Sequence, residues 1–222
     1  MNEFLFFVTI LLNFGGILLA YKFFGKTGLF VWIGVATVIA NIEVTKCVDM
    51  FGLSVTLGNV IYGTTFLATD ILSEKYGGRD ARKGVLIGFF TTVTFTLMSQ
   101  VNLLFVPNSA DVVSDAMKTV FSFMPRICVA SVIAYLVSNM LDTFTYDFIR
   151  KHFPNQLWLR NNGSTLTSQI VDSFLFTIIA FAGTFDWLTI IELSLTTYAI
   201  KVIVSLCDTP FLYIAKRMHI KE

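Results

Sequence analysis

Residues 85–106 read VLIGFFTTVTFTLMSQVNLLFV, a run with no Asp, Glu, Lys or Arg. A helix of this length rises roughly 33 Å at 1.5 Å per residue, and the hydrocarbon core of a bilayer is about 30 Å thick. Arg82 and Lys83 precede the run and Pro107 ends it. This pattern predicts a helix that crosses a membrane. The rest of the chain is of the same kind. Of its 222 residues 55% are apolar and only 14% charged, with 23 phenylalanines and 4 prolines. Soluble domains carry about 25% charged residues. A mean hydropathy of +0.73 exceeds what a soluble interior of this size could hide. The expected architecture is an all-α, polytopic transmembrane bundle with short loops, one integral membrane domain over residues 1–222.

Six further stretches are candidates to span: 4–21, 29–44, 55–72, 127–149, 165–182 and 188–215. The second and third are the weakest, one ending in Asn41, Glu43 and Lys46 and the other in Asp70 and Glu74, so six or seven spans are both open. With seven spans and the N-terminus outside, one face receives Lys22, Lys26, Lys75, Arg79, Arg82, Lys83, Arg150, Lys151, Arg160, Lys216, Arg217 and Lys221, twelve of the 16 Lys and Arg. The opposite face holds Asp49, Asp111, Asp115 and Asp186, with Lys46, Lys118 and Arg126 as exceptions. Basic excess in short loops marks the cytoplasmic side. The C-terminus is therefore expected in the cytoplasm. Asn2 and Glu3 before the first apolar run, and no clear cleavage site after it, predict a retained span rather than a signal peptide.

Counting also removes function classes. A formal charge of +1 offers no field for nucleic acid. Three cysteines far apart and two histidines in basic stretches form neither a disulfide framework nor a metal centre, and no cofactor motif is present. Loops 107–125 and 152–164 are too short for an extramembrane domain. No hydrolytic constellation supports an intramembrane enzyme. The chemistry must lie among the helices.

Ionisable groups at membrane depth are functional candidates by default. Asp142, Asp172 and Lys201 lie deepest, with Glu43, Asp70, Glu192 and Asp208 nearer span ends. Ser131, Tyr135, Ser138 and Asp142 recur on one helix face, with Asn139 beside them. Gln169 and Asp172 form a second stripe. The segments Ser138-Asn139-x-x-Asp142-Thr143-Phe144 and Ser168-Gln169-x-x-Asp172-Ser173-Phe174 echo one another. Amides offer donors and acceptors while an ionised Asp only accepts, a set that suits a flat ligand with a hydrogen-bonding edge. The competing reading is interhelical glue for the serines and amides, and a structural pair of the carboxylates with Lys201 or Arg126. No carboxylate lies one turn from Lys201 on its own helix, so its partner is expected across the bundle. Asn41 and Asp70, near the ends of the two weak spans, sit where transporters place sites on broken helices.

Taken in order, these residues resemble a known family. Asn41-Ile42-x-Val44-x-Lys46 leads to Phe51-Gly52, Tyr62 and Thr65-Phe66-x-x-Thr69-Asp70-Ile71-x-x-Glu74-x-Tyr76-Gly77. Arg126-x-x-x-Ala130-Ser131-x-x-Ala134-Tyr135, Ser138-Asn139-x-x-Asp142 and Arg160-Asn161-x-x-Ser164-Thr165-x-x-Ser168-Gln169-x-x-Asp172-Ser173 follow. The chain resembles the bacterial queuosine precursor transporters of the vitamin uptake transporter group. The resemblance implies a compact six-helix-type bundle in the inner membrane that carries a small molecule, a 7-deazaguanine base, into the cytoplasm for tRNA queuosine modification. Many members look to have glutamine where this chain has Asn139. A carboxylate would take the base's N1–H and 2-amino group, and Tyr135, Phe144, Phe174 or Tyr62 would cover its face. Two readings follow: a secondary-type transporter, or a substrate-binding membrane component that needs a separate energising module. Oligomeric state stays open.

Overall fold

The computed structural model describes residues 1–153 and 157–218; the side chains of Asn139, Asp142, Thr143, Tyr146, Asp147, Arg150, residues 157–162, Ser164, Thr165 and Thr209 lie outside it. In chain order the elements are α1 (Asn2–Glu43), β1 (Cys47–Met50), β2 (Leu53–Thr56), α2 (Asn59–Tyr76), α3 (Gly78–Asn102), α4 (Ser114–Phe121), α5 (Met124–His152), α6 (Leu157–Phe181) and α7 (Trp187–Arg217).

The two N-terminal candidate spans fall in one element, α1, and the reason is Gly25. A straight helix of 42 residues would be roughly 63 Å long. Gly25 instead adopts φ 55° and ψ −139°, outside helical space, in a region that essentially only glycine occupies. The chain reverses there. A Cβ placed on Gly28 would lie 2.2 Å from the carbonyl oxygen of Ala20, and one on Gly16 would lie 2.5 Å from the Trp32 ring. The two arms thus pack antiparallel and in contact. The start of the first arm is tied to the segment that follows the second, since Asn2 Nδ2 donates to the carbonyl of Asp49 at 2.7 Å and the N–H of Phe51 donates to Glu3 Oε1 at 3.2 Å.

The expected span 55–72 needs correction. Val55 and Thr56 belong to β2, which pairs antiparallel with β1 in the register Cys47 with Thr56 to Met50 with Leu53. Phe51 (φ 55°) and Gly52 (φ 75°) form the connection, both at the positive φ that a two-residue hairpin turn requires. Helix resumes only at Asn59. This small hairpin is the departure from an all-α reading. Downstream, α6 begins at Leu157, so much of the expected polar loop 152–164 is helical; after Pro154 no proline interrupts it.

Among the described residues, four stretches are long and apolar enough by themselves to cross a bilayer: Asn2–Glu43, Gly78–Asn102, Ser114–Ser138 and Trp187–Arg217. Their surfaces are inverted relative to a soluble protein. On α3 the buried residues are Gly84, Gly88, Thr92, Thr96 and Ser99, a stripe of small side chains, while Leu86, Phe90, Leu97 and Met98 are exposed. Small residues inside and large apolar residues outside let helix backbones approach in lipid. The larger core residues are Phe6, Ile10, Phe14, Ile17 and Tyr21 on the first arm of α1, packed with Leu67, Ile71 and Leu72 of α2 and Val204 of α7. This is a multi-pass helical membrane protein.

Charge divides the bundle by its ends. At one end Lys26 pairs with Asp80 at 3.3 Å, Lys216 pairs with Glu74 at 2.9 Å, and Lys75 Nζ donates to the carbonyls of Lys216 and Met218. The β-hairpin, α4 and the start of α7 lie at the other. There Arg126 is occupied: its Nε donates to the carbonyl of Ile179 at 2.6 Å and its Nη2 to that of Ala182, so it caps the C-terminus of α6.

Candidate functional site

α5, α6 and α7 converge on one carboxylate. Asp172 of α6 receives Lys201 Nζ from α7 on Oδ2 and Ser138 Oγ from α5 on Oδ1, the latter at 3.2 Å. The pairing that the spacing along α7 called for is therefore present, and Asp172 is the partner. The two side chains are 11% and 13% exposed. An ion pair so enclosed needs its remaining lone pairs satisfied, and Ser138 supplies that bond. Ser138 thus serves as glue between α5 and α6, sharing its proton with the Tyr135 carbonyl 3.1 Å away.

Three cavities adjoin Tyr62 of α2; Lys201 lines two of them and Asp172 one. The innermost, about 50 Å3, lies between Asn41, Asn59, Tyr62, Ser131, Asp172 and Lys201. A second, about 220 Å3, is bounded by Asn41, Tyr62, Phe89, Thr92, Ser131 and Tyr135. A third, about 350 Å3, is bounded by Asn59, Tyr62, Phe66, Gln169, Lys201 and Asp208. Tyr62 is steadied by Phe66, whose ring meets it edge-on at 5.3 Å, and Lys201 Nζ stands 5.8 Å from its centroid. Asn41 Nδ2 is 3.5 Å from Thr92 Oγ1, which joins the second arm of α1 to α3.

Of the eight residues singled out in the sequence, Asn41, Asp172 and Lys201 share the innermost cavity. Tyr135 lines the second and Gln169 the third. Asp70 joins none of these three; it is exposed on α2, two turns beyond Tyr62. Asn139 and Asp142 follow Ser138 along α5, and their side chains lie outside the described residues. Asn59, Phe176 and Thr197 were not anticipated; only the Gly58-Asn59 turn pair before α2 could have drawn attention to the first. Among the described residues no three His, Cys, Asp or Glu side chains gather as a metal site would require.

The chemistry of the centre is neutral in sum and rich in hydrogen-bonding groups. It offers a carboxylate acceptor, an ammonium donor, two amides and an aromatic face. A polar, enclosed centre thus sits within an apolar-surfaced helical bundle, which makes this a multi-pass membrane protein with hydrogen-bonding groups at membrane depth. Residues 56–215 match the family described as "Putative vitamin uptake transporter", and the chain belongs to that family. It is 49% identical over 219 residues to the "Probable queuosine precursor transporter" of Bacillus subtilis (strain 168), covering 98% of this chain and 95% of that protein. It is 29% identical over 174 residues to the "Queuosine precursor transporter" of Escherichia coli (strain K12), covering 75% of each. No solved structure matches.

Proposed function

We propose that this protein imports a queuosine precursor, a 7-deazaguanine base, across the inner membrane as a secondary-type transporter. The observation that carries the reading is the Asp172 carboxylate, held at bundle depth by Lys201 and Ser138 beside the Tyr62 ring. The base's N1–H and 2-amino group form a donor edge that a carboxylate accepts, and its bicyclic face stacks on an aromatic ring. Asn41 presents an amide to the base's carbonyl from the same cavity, and Tyr135 borders the adjoining one. Asn139 and Asp142, one residue and one turn past Ser138 on α5, belong to the same proposed site. The names of the relatives support this cargo.

In this reading the chain forms one integral membrane domain that crosses seven times, each arm of α1 counting once. The basic end with Lys26, Lys75 and Lys216 faces the cytoplasm together with the C-terminus, by the excess of positive charge there.

The test expresses the chain in cells that lack both precursor synthesis and native uptake, supplies each base at low external concentration, and measures queuosine in tRNA. Restored queuosine supports the reading; none with any base defeats it. Uptake by the purified chain alone in liposomes would exclude dependence on a separate energising module.

A further inference from the structure

The cavity beside Asp172 is about 50 Å3. That holds a few waters but lies far below the roughly 300–1,000 Å3 of pockets that enclose organic ligands. Both oxygens of Asp172 are already in use, one by Lys201 and one by Ser138. With Lys201 in place, the space left at this carboxylate is too small for a base. Lys201 lies on the wall between this cavity and the neighbouring one of about 350 Å3. Gln169, one helical turn before Asp172 on α6, lines that larger space, and its buried carbonyl oxygen, Oε1, has no hydrogen-bond partner among the described residues. A buried acceptor left unpaired is unfavourable and calls for a donor.

We propose that Lys201 is a tethered competitor of the cargo, occupying Asp172 in the empty protein and withdrawing to Gln169 Oε1 when a base with paired N–H donors takes its place. The inference rests on the transport reading above. Withdrawal does two things at once: it vacates volume next to Asp172 and releases an acceptor for the incoming donor edge. The ammonium moves from a carboxylate to an amide oxygen, so it keeps a partner through the exchange. A ligand lacking adjacent donors cannot repay the broken ion pair. The freed carboxylate, which only accepts, then favours a donor edge over one that presents an acceptor, such as adenine's.

The experiment measures binding of the nitrile 7-deazaguanine base, which is uncharged, to the purified full chain at pH 8. If the unaltered protein binds neither this base nor the aminomethyl base nor queuine, the transport reading falls and the inference with it; otherwise the base that binds is the one compared across the variants. If the unaltered protein binds, Lys201→Met, which removes the competitor at similar length, should bind roughly tenfold tighter or more, the equivalent of about 1.4 kcal/mol. Lys201→Arg keeps an ion pair and grips Asp172 through two N–H donors, so it should bind about tenfold or more weaker. Gln169→Leu should weaken binding when Lys201 is present and leave it unchanged in the Lys201→Met background. Equal or weaker binding by Lys201→Met overturns the inference, because it would make Lys201 a direct contact of the cargo. If Lys201→Met fails to fold, Lys201→Arg decides: unchanged or tighter binding overturns the inference.

Discussion

The backbone N–H of Ser54 donates to Oε1 of Glu192 at 2.7 Å, so an acidic side chain on α7 holds the β-hairpin against the bundle. Thr196, one turn on, adds a second tie by donating from Oγ1 to the Ser54 carbonyl at 3.0 Å. Beneath the hairpin lies a cavity of about 270 Å3 that shares Leu57, Gly58 and Asn59 with the innermost one. Glu192→Ala should loosen the hairpin without unfolding the helices. A hydrogen bond to a charged group contributes about 1.5–3 kcal/mol, and at this half-buried site the lower end applies. Amide exchange at residues 47–56 should quicken about tenfold while exchange in α3 stays unchanged. Equal exchange in both proteins would show that Glu192 does not hold the hairpin.

Lys201→Ala leaves Asp172 without its cation inside the bundle. Breaking a buried pair from one side costs roughly 3–5 kcal/mol, whereas removing both partners is often near neutral. Thermal unfolding in detergent should fall sharply for Lys201→Ala and recover in the Lys201→Met, Asp172→Asn double variant. A single variant as stable as the unaltered chain would contradict the geometry.

Tyr62 borders three cavities, so its ring is the surface a flat cargo would meet from any of them. Stacking on an aromatic side chain contributes about 1–3 kcal/mol per base. Tyr62→Ala should weaken base binding roughly five- to hundredfold, and Tyr62→Phe should bind nearly as the unaltered chain does. Isothermal titration with the aminomethyl base checks both. Equal losses in the two variants would assign the effect to the hydroxyl instead of the ring.

Gly25 should tolerate no side chain. Its φ of 55° with ψ −139° costs an L residue about 1–3 kcal/mol. Gly25→Ala is expected to lower the unfolding temperature and the yield of folded protein, while Gly15→Ala, where an added Cβ meets nothing within 4 Å, should do neither. Comparable losses at the two positions would argue against the reversal.

Topology can be read from two thiols. Cys47 is exposed on β1 at the acidic end. An impermeant thiol reagent should label Cys47 in intact cells, and should label Arg79→Cys, in a background without other cysteines, only after the cells are opened. Labelling of Arg79→Cys from outside would invert the orientation.

The helical bundle was legible because its signals are local. Charge-free runs such as 85–106 and the turn at Tyr76-Gly77-Gly78 mark helices and their ends without tertiary information. The partner of Lys201 could be narrowed to a carboxylate across the bundle because a buried ammonium needs one. Choosing Asp172 required the relative rotation of α6 and α7, which no spacing along one helix encodes. The hairpin was missed for a different reason. Phe51 carries a positive φ that a bulky residue rarely accepts, so Met50-Phe51-Gly52-Leu53 lacks the Asn-Gly signal of such turns. Val55 and Thr56 then read as the start of an apolar helix. The convergence of cavities on Tyr62 depends on helix packing alone.

Arg126 ties α5 to a part of the chain made later. The carbonyls it grips, those of Ile179 and Ala182, lie 53 and 56 residues further along the chain. On the side of the membrane that disfavours positive charge, this guanidinium thus depends on acceptors from the helix inserted after its own. Insertion of α5 and α6 is thereby coupled: the arginine's charge is matched only in the protein that holds both helices.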